Sequence, residues 1–317
     1  MFAKTREFLN ERDALIISEL GSYSLTDTFE CGQAFRYECI KREDGYVEYM
    51  TVVGDEIITV GQRTAGELIF YGISDEVFDK VVRSYFALDT DYRAIRADIA
   101  QRTDSEWLRR AAESASGVVI LKQDEWEALF SFIVSQNNNI PRIRKIIRQL
   151  SAEYGVNICL QKDIKSCPLG KISTAPCEEL CRSCGSCYTF PKPLDIANNP
   201  EKMLPSKPGF RYKYLLSAAE RVASGETNLQ KIAEKKSYSH TVAELKKILG
   251  VGDKVASCAA LFGFGNLEAF PVDVWMRRAI DTYFDGHLDP ESLGEYAGVA
   301  QQYIFHYIRN LENKNEK

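Results

Sequence analysis

The residue pattern changes period near Ser74, and that change limits what the chain can fold into. Before it, ALIISEL (14–20), YVEYMTVV (46–53), EIITVGQ (56–62) and GELIFYGI (66–73) are β-branched and aromatic runs separated by Gly and Asp turns. That is the pattern of an antiparallel meander. After it, DEVFDKVVRSYFAL, DEWEALFSFIVSQ, IPRIRKIIRQLSAEYG, RYKYLLSAAERVASGE, TVAELKKIL, KVASCAALFGF, VDVWMRRAIDTYF and GEYAGVAQQYIFHYIRN repeat apolar residues at helical spacing. The fold class is therefore α+β: a small antiparallel β-rich N-terminal domain, expected over residues 1–115, and a mostly helical body over 116–317. One segment breaks the helical period. CPLGKISTAPCEELCRSCGSC (167–187) lies in an expected insert at 165–189 and carries five of the nine cysteines.

Composition narrows the class. With 317 residues, 45% of them hydrophobic, the chain is long enough for a large core. Its apolar runs stay well short of the roughly 18 residues of a membrane span, so no membrane association is expected. The N-terminal MFAKTREFLNERDAL is too charged for a secretory signal. Nine cysteines without an export signal imply reduced thiols, and a cytoplasmic protein. A net charge of −5 argues against wholesale coating of nucleic acid but leaves room for a local basic face. Arg142, Arg144, Lys145 and Arg148 form one basic cluster, and Lys207, Arg211 and Lys213 another.

Chemistry concentrates in LGVGDKVASCAALFGFGNLEAFPVDVW (249–275). An amphipathic helix ends at Leu249, GVGD turns the chain, and a second helix begins at once. Gly250 and Gly252 can take positive φ in this turn. The motif is a helix-hairpin-helix, whose glycines admit a DNA phosphate to the backbone and whose second helix aims N–H groups at it. A plain corner between two helices would look the same. Asp273 follows Pro271 at the start of the next helix, where capping alone would account for it. Lys254 sits in the first turn of its helix, a place where the macrodipole disfavours a cation. A neutral amine is a nucleophile able to form a Schiff base, and a nearby carboxylate stabilises positive charge on a sugar. An amine and a carboxylate behind a phosphate-binding hairpin suit attack on C1′ of a nucleotide.

Seven segments in order then carry a resemblance: TDTFECGQAFRY (26–37), YFALDTDY (85–92), LFSFIVSQNNNIPRI (129–143), PGFRYKYL (208–215), LGVGDKVASC, AFPVDVW and AGVAQQYIF (297–305). On these the chain is identified as a member of the helix-hairpin-helix superfamily of DNA glycosylases. Within it, the chain resembles the 8-oxoguanine DNA glycosylase/AP lyases over about residues 15–310. The resemblance implies a bifunctional repair enzyme that acts on damaged double-stranded DNA as a monomer. It would excise 8-oxoguanine and nick the abasic site by β-elimination through a lysine Schiff base, with no cofactor. Lys254 and Asp273 would be catalytic. The Gly32 carbonyl would accept N7–H of the lesion, and Phe35, Cys258, Gln301 and Phe305 would complete the base pocket; Gln301 and Phe305, four apart, share a helix face. Phe210 would wedge into the vacated stack. Arg142, Arg211 and Asn137 would hold the unpaired cytosine, and Gly250 and Gly252 would meet the phosphate.

The branches with a C-terminal four-cysteine cluster are disfavoured, because no cysteine follows Cys258. An alkylbase glycosylase of the same fold, and a non-enzymatic DNA-binding module, remain alternatives. Two positions depart from the family: Trp275 stands where the animal enzymes carry a histidine, and Leu249 replaces the usual hairpin proline. The insert falls outside the resemblance. Cys177, Cys181, Cys184 and Cys187 have spacings that suit a structural zinc or an iron–sulfur cluster, and equally an exposed loop of reduced thiols.

Overall fold

The computed structural model describes residues 2–9, 11–164, 169 and 185–315, with side chains to 311. Its N-terminal part is one six-stranded antiparallel sheet: β1 (Ala3–Leu9), β2 (Arg12–Ser18), β3 (Tyr37–Glu43), β4 (Tyr46–Val53), β5 (Glu56–Gln62) and β6 (Leu68–Tyr71). The spatial order is β1-β2-β6-β5-β4-β3. Only β3 to β6 make the expected meander. Strand β2 returns to the far edge and pairs with β6 (Ala14↔Tyr71, Ile17↔Leu68), and β1 closes on β2. Strands β1 and β3 are not marked by apolar alternation. Both are edge strands, with β1 exposed along nearly its whole length.

Leu15, Ile17, Tyr49, Ile58, Val60, Leu68 and Phe70 cover one side of the sheet and pack on Phe29, Phe78, Phe86, Val119 and Leu121. A helix, α1 (Leu25–Glu30), lies between β2 and β3. Ser24 caps it, its hydroxyl accepting from Asp27 N at 3.2 Å. The helix stops at Cys31, and Gly32 turns the chain at φ +85°. Beyond it Gln33 is fully buried and fully bonded. Its Nε2 donates to the carbonyls of Thr28 (2.9 Å) and Val119 (2.7 Å), and its Oε1 accepts from Leu121 N at 2.8 Å. Gln123 Nε2 donates in turn to the Gln33 carbonyl at 2.8 Å. The Gly32 turn is thereby stitched to the segment that leads into the helical body, the kind of satisfied buried network that fixes geometry.

The body is all-helical. Its longer helices are α2 (Tyr92–Arg102), α3 (Glu106–Ser114), α4 (Glu125–Ser135), α5 (Ile140–Tyr154), α6 (Tyr212–Ala223), α7 (Tyr238–Leu245), α8 (Asp253–Phe262), α9 (Val274–Tyr283) and α10 (Ala297–Asn315). One large core unites them, with Leu129, Phe132, Ile133, Ile146, Leu215, Val255, Ala259, Leu261, Met276 and Tyr303 among its members. Helix α4 is buried at every position from 128 to 134 and forms the central post. Asp124 caps it by accepting from Glu127 N at 2.9 Å.

Candidate active site

Helix α7 ends at Leu245, earlier than its apolar period suggests, and the chain continues in tight turns to Gly252, the N-cap of α8. The two hairpin glycines differ. Gly250 has φ +81°, and a Cβ there would stand 2.3 Å from the ring of Tyr214, so both conformation and packing demand glycine. Gly252 does not use that freedom: it is extended (φ −95°, ψ −176°), and among the described residues a Cβ would meet nothing within 4 Å. No contact among the described residues requires glycine at this exposed N-cap. The hairpin therefore divides its labour, with Gly250 serving the fold and Gly252 presenting bare backbone at a helix N-terminus.

Lys254 lies in the first turn of α8 and points back across α4. Its Nζ is 3.4 Å from Ser135 Oγ and 5.2 Å from the centre of the Phe132 ring. Asp273 is the N-cap of α9, with Oδ1 accepting from Met276 N at 2.8 Å. Capping and catalysis are compatible, because one hydrogen bond leaves most of the carboxylate's acceptor capacity unused. Cys258 lies one turn along α8 from Lys254. Burial raises its thiol pKa, the Asp273 carboxylate pushes the same way, and Lys254 opposes them through charge and a hydrogen bond. Amine, carboxylate and thiol thus share one environment.

A pocket of about 50 Å³ joins them, lined by Cys31, Gly32, Phe132, Phe262, Pro271, Gln301, Gln302 and Phe305 as well as Lys254, Cys258 and Asp273. That volume suits a water or two. A flipped base requires the walls to part. Cys31 and Gly32 are the wall contributed by the N-terminal part, and the Cβ direction of Gly32 faces Ile140 (3.4 Å) and Phe305 (3.9 Å). Of the expected base contacts, Gly32, Cys258, Gln301 and Phe305 converge here. Phe35 does not. It is 5% exposed and packs edge-on behind Phe132 at 5.6 Å, so Phe132 forms the wall that was assigned to it. Phe132 also stacks on Phe262 at 5.3 Å. A larger cavity, about 460 Å³, opens between residues 20–23 and 83–96 and holds none of the expected site residues.

The wedge region separates the residues expected to meet the opposite strand. Phe210 is 49% exposed and Arg142 is exposed, as a DNA contact requires. Arg211, expected to grip a cytosine, is 2% exposed and turned inward. Its guanidinium donates to the carbonyls of Gln136 (Nε, 2.8 Å), Asn137 (Nη2, 2.7 Å) and Pro208 (Nη1, 3.2 Å) and stacks under Phe210. Burial lowers its pKa and the nearby Arg142 adds to that. The reason for its position is local. Asn137 adopts φ +46°, and a turn of that kind leaves carbonyls that need donors. Gln136 extends the brace by donating Nε2 to the Gly250 carbonyl at 3.1 Å. One arginine therefore ties the Phe210 loop, the exposed Asn137 and the hairpin together, a role that no sequence signal announced.

Of the insert cysteines, Cys167, Cys177, Cys181 and Cys184 lie outside the described residues. Cys187 is fully buried against Met50, Cys159 and Tyr188 under the sheet. Among the described residues, no three or more His, Cys, Asp or Glu side chains are grouped to hold a metal.

A domain model for the N-terminal domain of 8-oxoguanine DNA glycosylase matches residues 15–129. A solved structure of an enzyme named MBOgg1, in complex with a low-affinity DNA ligand, is 32% identical over 98% of this chain and 99% of its own, with a TM-score of 0.80. The chain belongs to the 8-oxoguanine DNA glycosylase family. The Clostridium acetobutylicum 8-oxoguanine glycosylase/lyase, solved with double-stranded DNA that carries cytosine opposite 8-oxoguanine, is 30% identical over 98% of both chains, at the same TM-score. The Saccharomyces cerevisiae N-glycosylase/DNA lyase is 26% identical over 80% of this chain, which spans 66% of that relative's length. These likenesses cover both the sheet and the helical body of the glycosylase.

Proposed function

We propose that the protein excises 8-oxoguanine from duplex DNA and nicks the abasic site that results. The observation that carries this reading is the convergence of Lys254 and Asp273, at the starts of two helices, on a pocket also lined by Gly32, Cys258, Gln301 and Phe305. The exposed backbone at Gly252 binds the phosphate beside the lesion, and Phe210 fills the gap left by the flipped base. The Lys254 amine attacks C1′, and the base leaves with the electrons of the glycosidic bond and takes up the proton that the amine gives up. Asp273 stabilises the positive charge that grows on the sugar as that bond breaks. Ring opening gives the C1′ imine. Loss of a C2′ proton and departure of the 3′-phosphate then cleave the strand. Nothing in these steps calls for a cofactor.

The partner is damaged double-stranded DNA, and the protein works on it as a monomer in the cytoplasm. Among the described residues no helix is long and apolar enough to cross a membrane. The test is borohydride reduction in the presence of an 8-oxoguanine duplex. A covalent protein–DNA adduct that disappears in Lys254→Ala is expected. No adduct with any oxidised or alkylated base would sink the lyase assignment, and an adduct confined to alkylated bases would move the protein to the alkylbase branch.

A further inference from the structure

Gln302 follows Gln301 on α10 and lines the same pocket at 5% exposure. Its Nε2 donates to Gln301 Oε1 at 2.7 Å. Among the described residues this is the hydrogen bond in which the Gln301 carboxamide takes part, so one lone pair of its oxygen is engaged while its nitrogen keeps both N–H donors for a ligand. Gln302 Oε1 is buried and has no partner. Buried acceptors without a donor are uncommon and call for an explanation. Of the buried side-chain polar atoms in that condition among the described residues, it alone belongs to a residue of this pocket.

We propose that Gln301 and Gln302 form one composite reader, in which Gln302 is a specificity-determining residue. The inference rests on the 8-oxoguanine reading above. Gln301 Nε2 supplies a donor and Gln302 Oε1 an acceptor. A guanine-type edge offers the complement, an acceptor at O6 beside a donor at N1–H. An adenine-type edge offers the reverse, an amino group at C6 beside a bare N1, and sets donor against donor and acceptor against acceptor. The internal bond couples the two carboxamides, so they can turn over only together. With both carboxamides turned over, the pair would suit the adenine-type edge instead.

The experiment measures single-turnover excision from duplexes holding 8-oxoguanine or 8-oxoadenine, and nicking of a pre-formed abasic site in the same duplex. It compares the wild type with Gln302→Leu and Gln302→Met, which keep bulk and lose both polar ends. Excision of 8-oxoguanine should fall about 10- to 100-fold, the range for a buried hydrogen bond lost with its partner left unsatisfied. Its advantage over 8-oxoadenine should shrink, while abasic nicking and the melting temperature stay near the wild type. The double variant Gln301→Ala/Gln302→Leu should lose less than the product of the single losses, because the two side chains act as a unit. An unchanged preference between the two lesions, or multiplicative losses, would overturn the proposal. Joint loss of nicking and stability in both Gln302 variants would also overturn it by making Gln302 a packing residue. A wild type that nicks abasic sites but leaves 8-oxoguanine untouched would instead refute the function on which the proposal depends.

Discussion

Replacing each hairpin glycine by alanine tests the division of labour between them. Alanine at 250 must hold φ near +81°, which costs a non-glycine residue about 1–2 kcal/mol. Its methyl would also enter the Tyr214 ring, with three ring carbons between 2.3 and 2.6 Å away, and overpacking of that kind costs about 1–3 kcal/mol. Gly250→Ala should therefore lose about 2–5 kcal/mol of stability. At 252 neither term applies. Alanine is a poorer N-cap than glycine by up to about 1 kcal/mol, and the smaller entropy of its unfolded chain returns about 0.4–1 kcal/mol. Gly252→Ala should change stability by less than about 0.5 kcal/mol, yet its methyl would stand where a phosphate approaches the α8 N–H groups. Urea denaturation with fluorescence anisotropy on a duplex bearing a stable abasic analogue separates the two effects. Gly252→Ala should bind about tenfold more weakly, the equivalent of about 1.4 kcal/mol. If it binds like the wild type, the hairpin is a structural corner and the backbone clamp is wrong.

Asp273→Asn retains a capping side chain for Met276 N and loses the charge. Base excision should drop on the order of 10²–10³-fold with little change in lesion binding, and wild-type rates in single-turnover assays would reduce Asp273 to a cap. Gly32→Val places a branched side chain at φ +85°, facing Ile140 and Phe305. Excision of 8-oxoguanine should vanish while a pre-formed abasic site is still nicked; equal loss of both, with a large fall in melting temperature, would withdraw Gly32 from the pocket. Arg211→Ala strips donors from the carbonyls of Gln136, Asn137 and Pro208, at about 1–3 kcal/mol for each carbonyl left buried and unpaired. A variant as stable as the wild type would show that Arg211 does not brace this loop.

Lys254 and Asp273 were legible because each is defined by a neighbour in sequence: a glycine turn before the lysine, a proline before the aspartate, and a helix start at both. Four strands were legible for a similar reason, since burial writes a pattern into them. Edge strands escape that rule. AKTREFL in β1 is solvated on both faces, so nothing forced its residues to alternate. The pocket wall was harder to read. Along α4 every residue from Ala128 to Val134 is buried, and a run buried on all sides does not tell which ring faces the lysine; Phe132 went unread for that reason. Arg211 marks a different limit. An arginine after an exposed aromatic reads as surface, and only the turn at Asn137, distant in sequence, supplies the carbonyls that draw it inward.

On the proposed reading, lesion selection depends on both halves being folded together, because the pocket takes Gly32 from one half of the chain and Lys254, Asp273 and Gln301 from the other. The Gln33 bonds to the 119–121 segment make that dependence rigid. On the proposed reading, a molecule whose sheet had come undone would keep the lysine and hairpin that break strands but lose the surface that tests the base. The integrity of Gln33 then acts as a safeguard against indiscriminate cutting, and Gln33→Ala is the change expected to uncouple selection from cleavage.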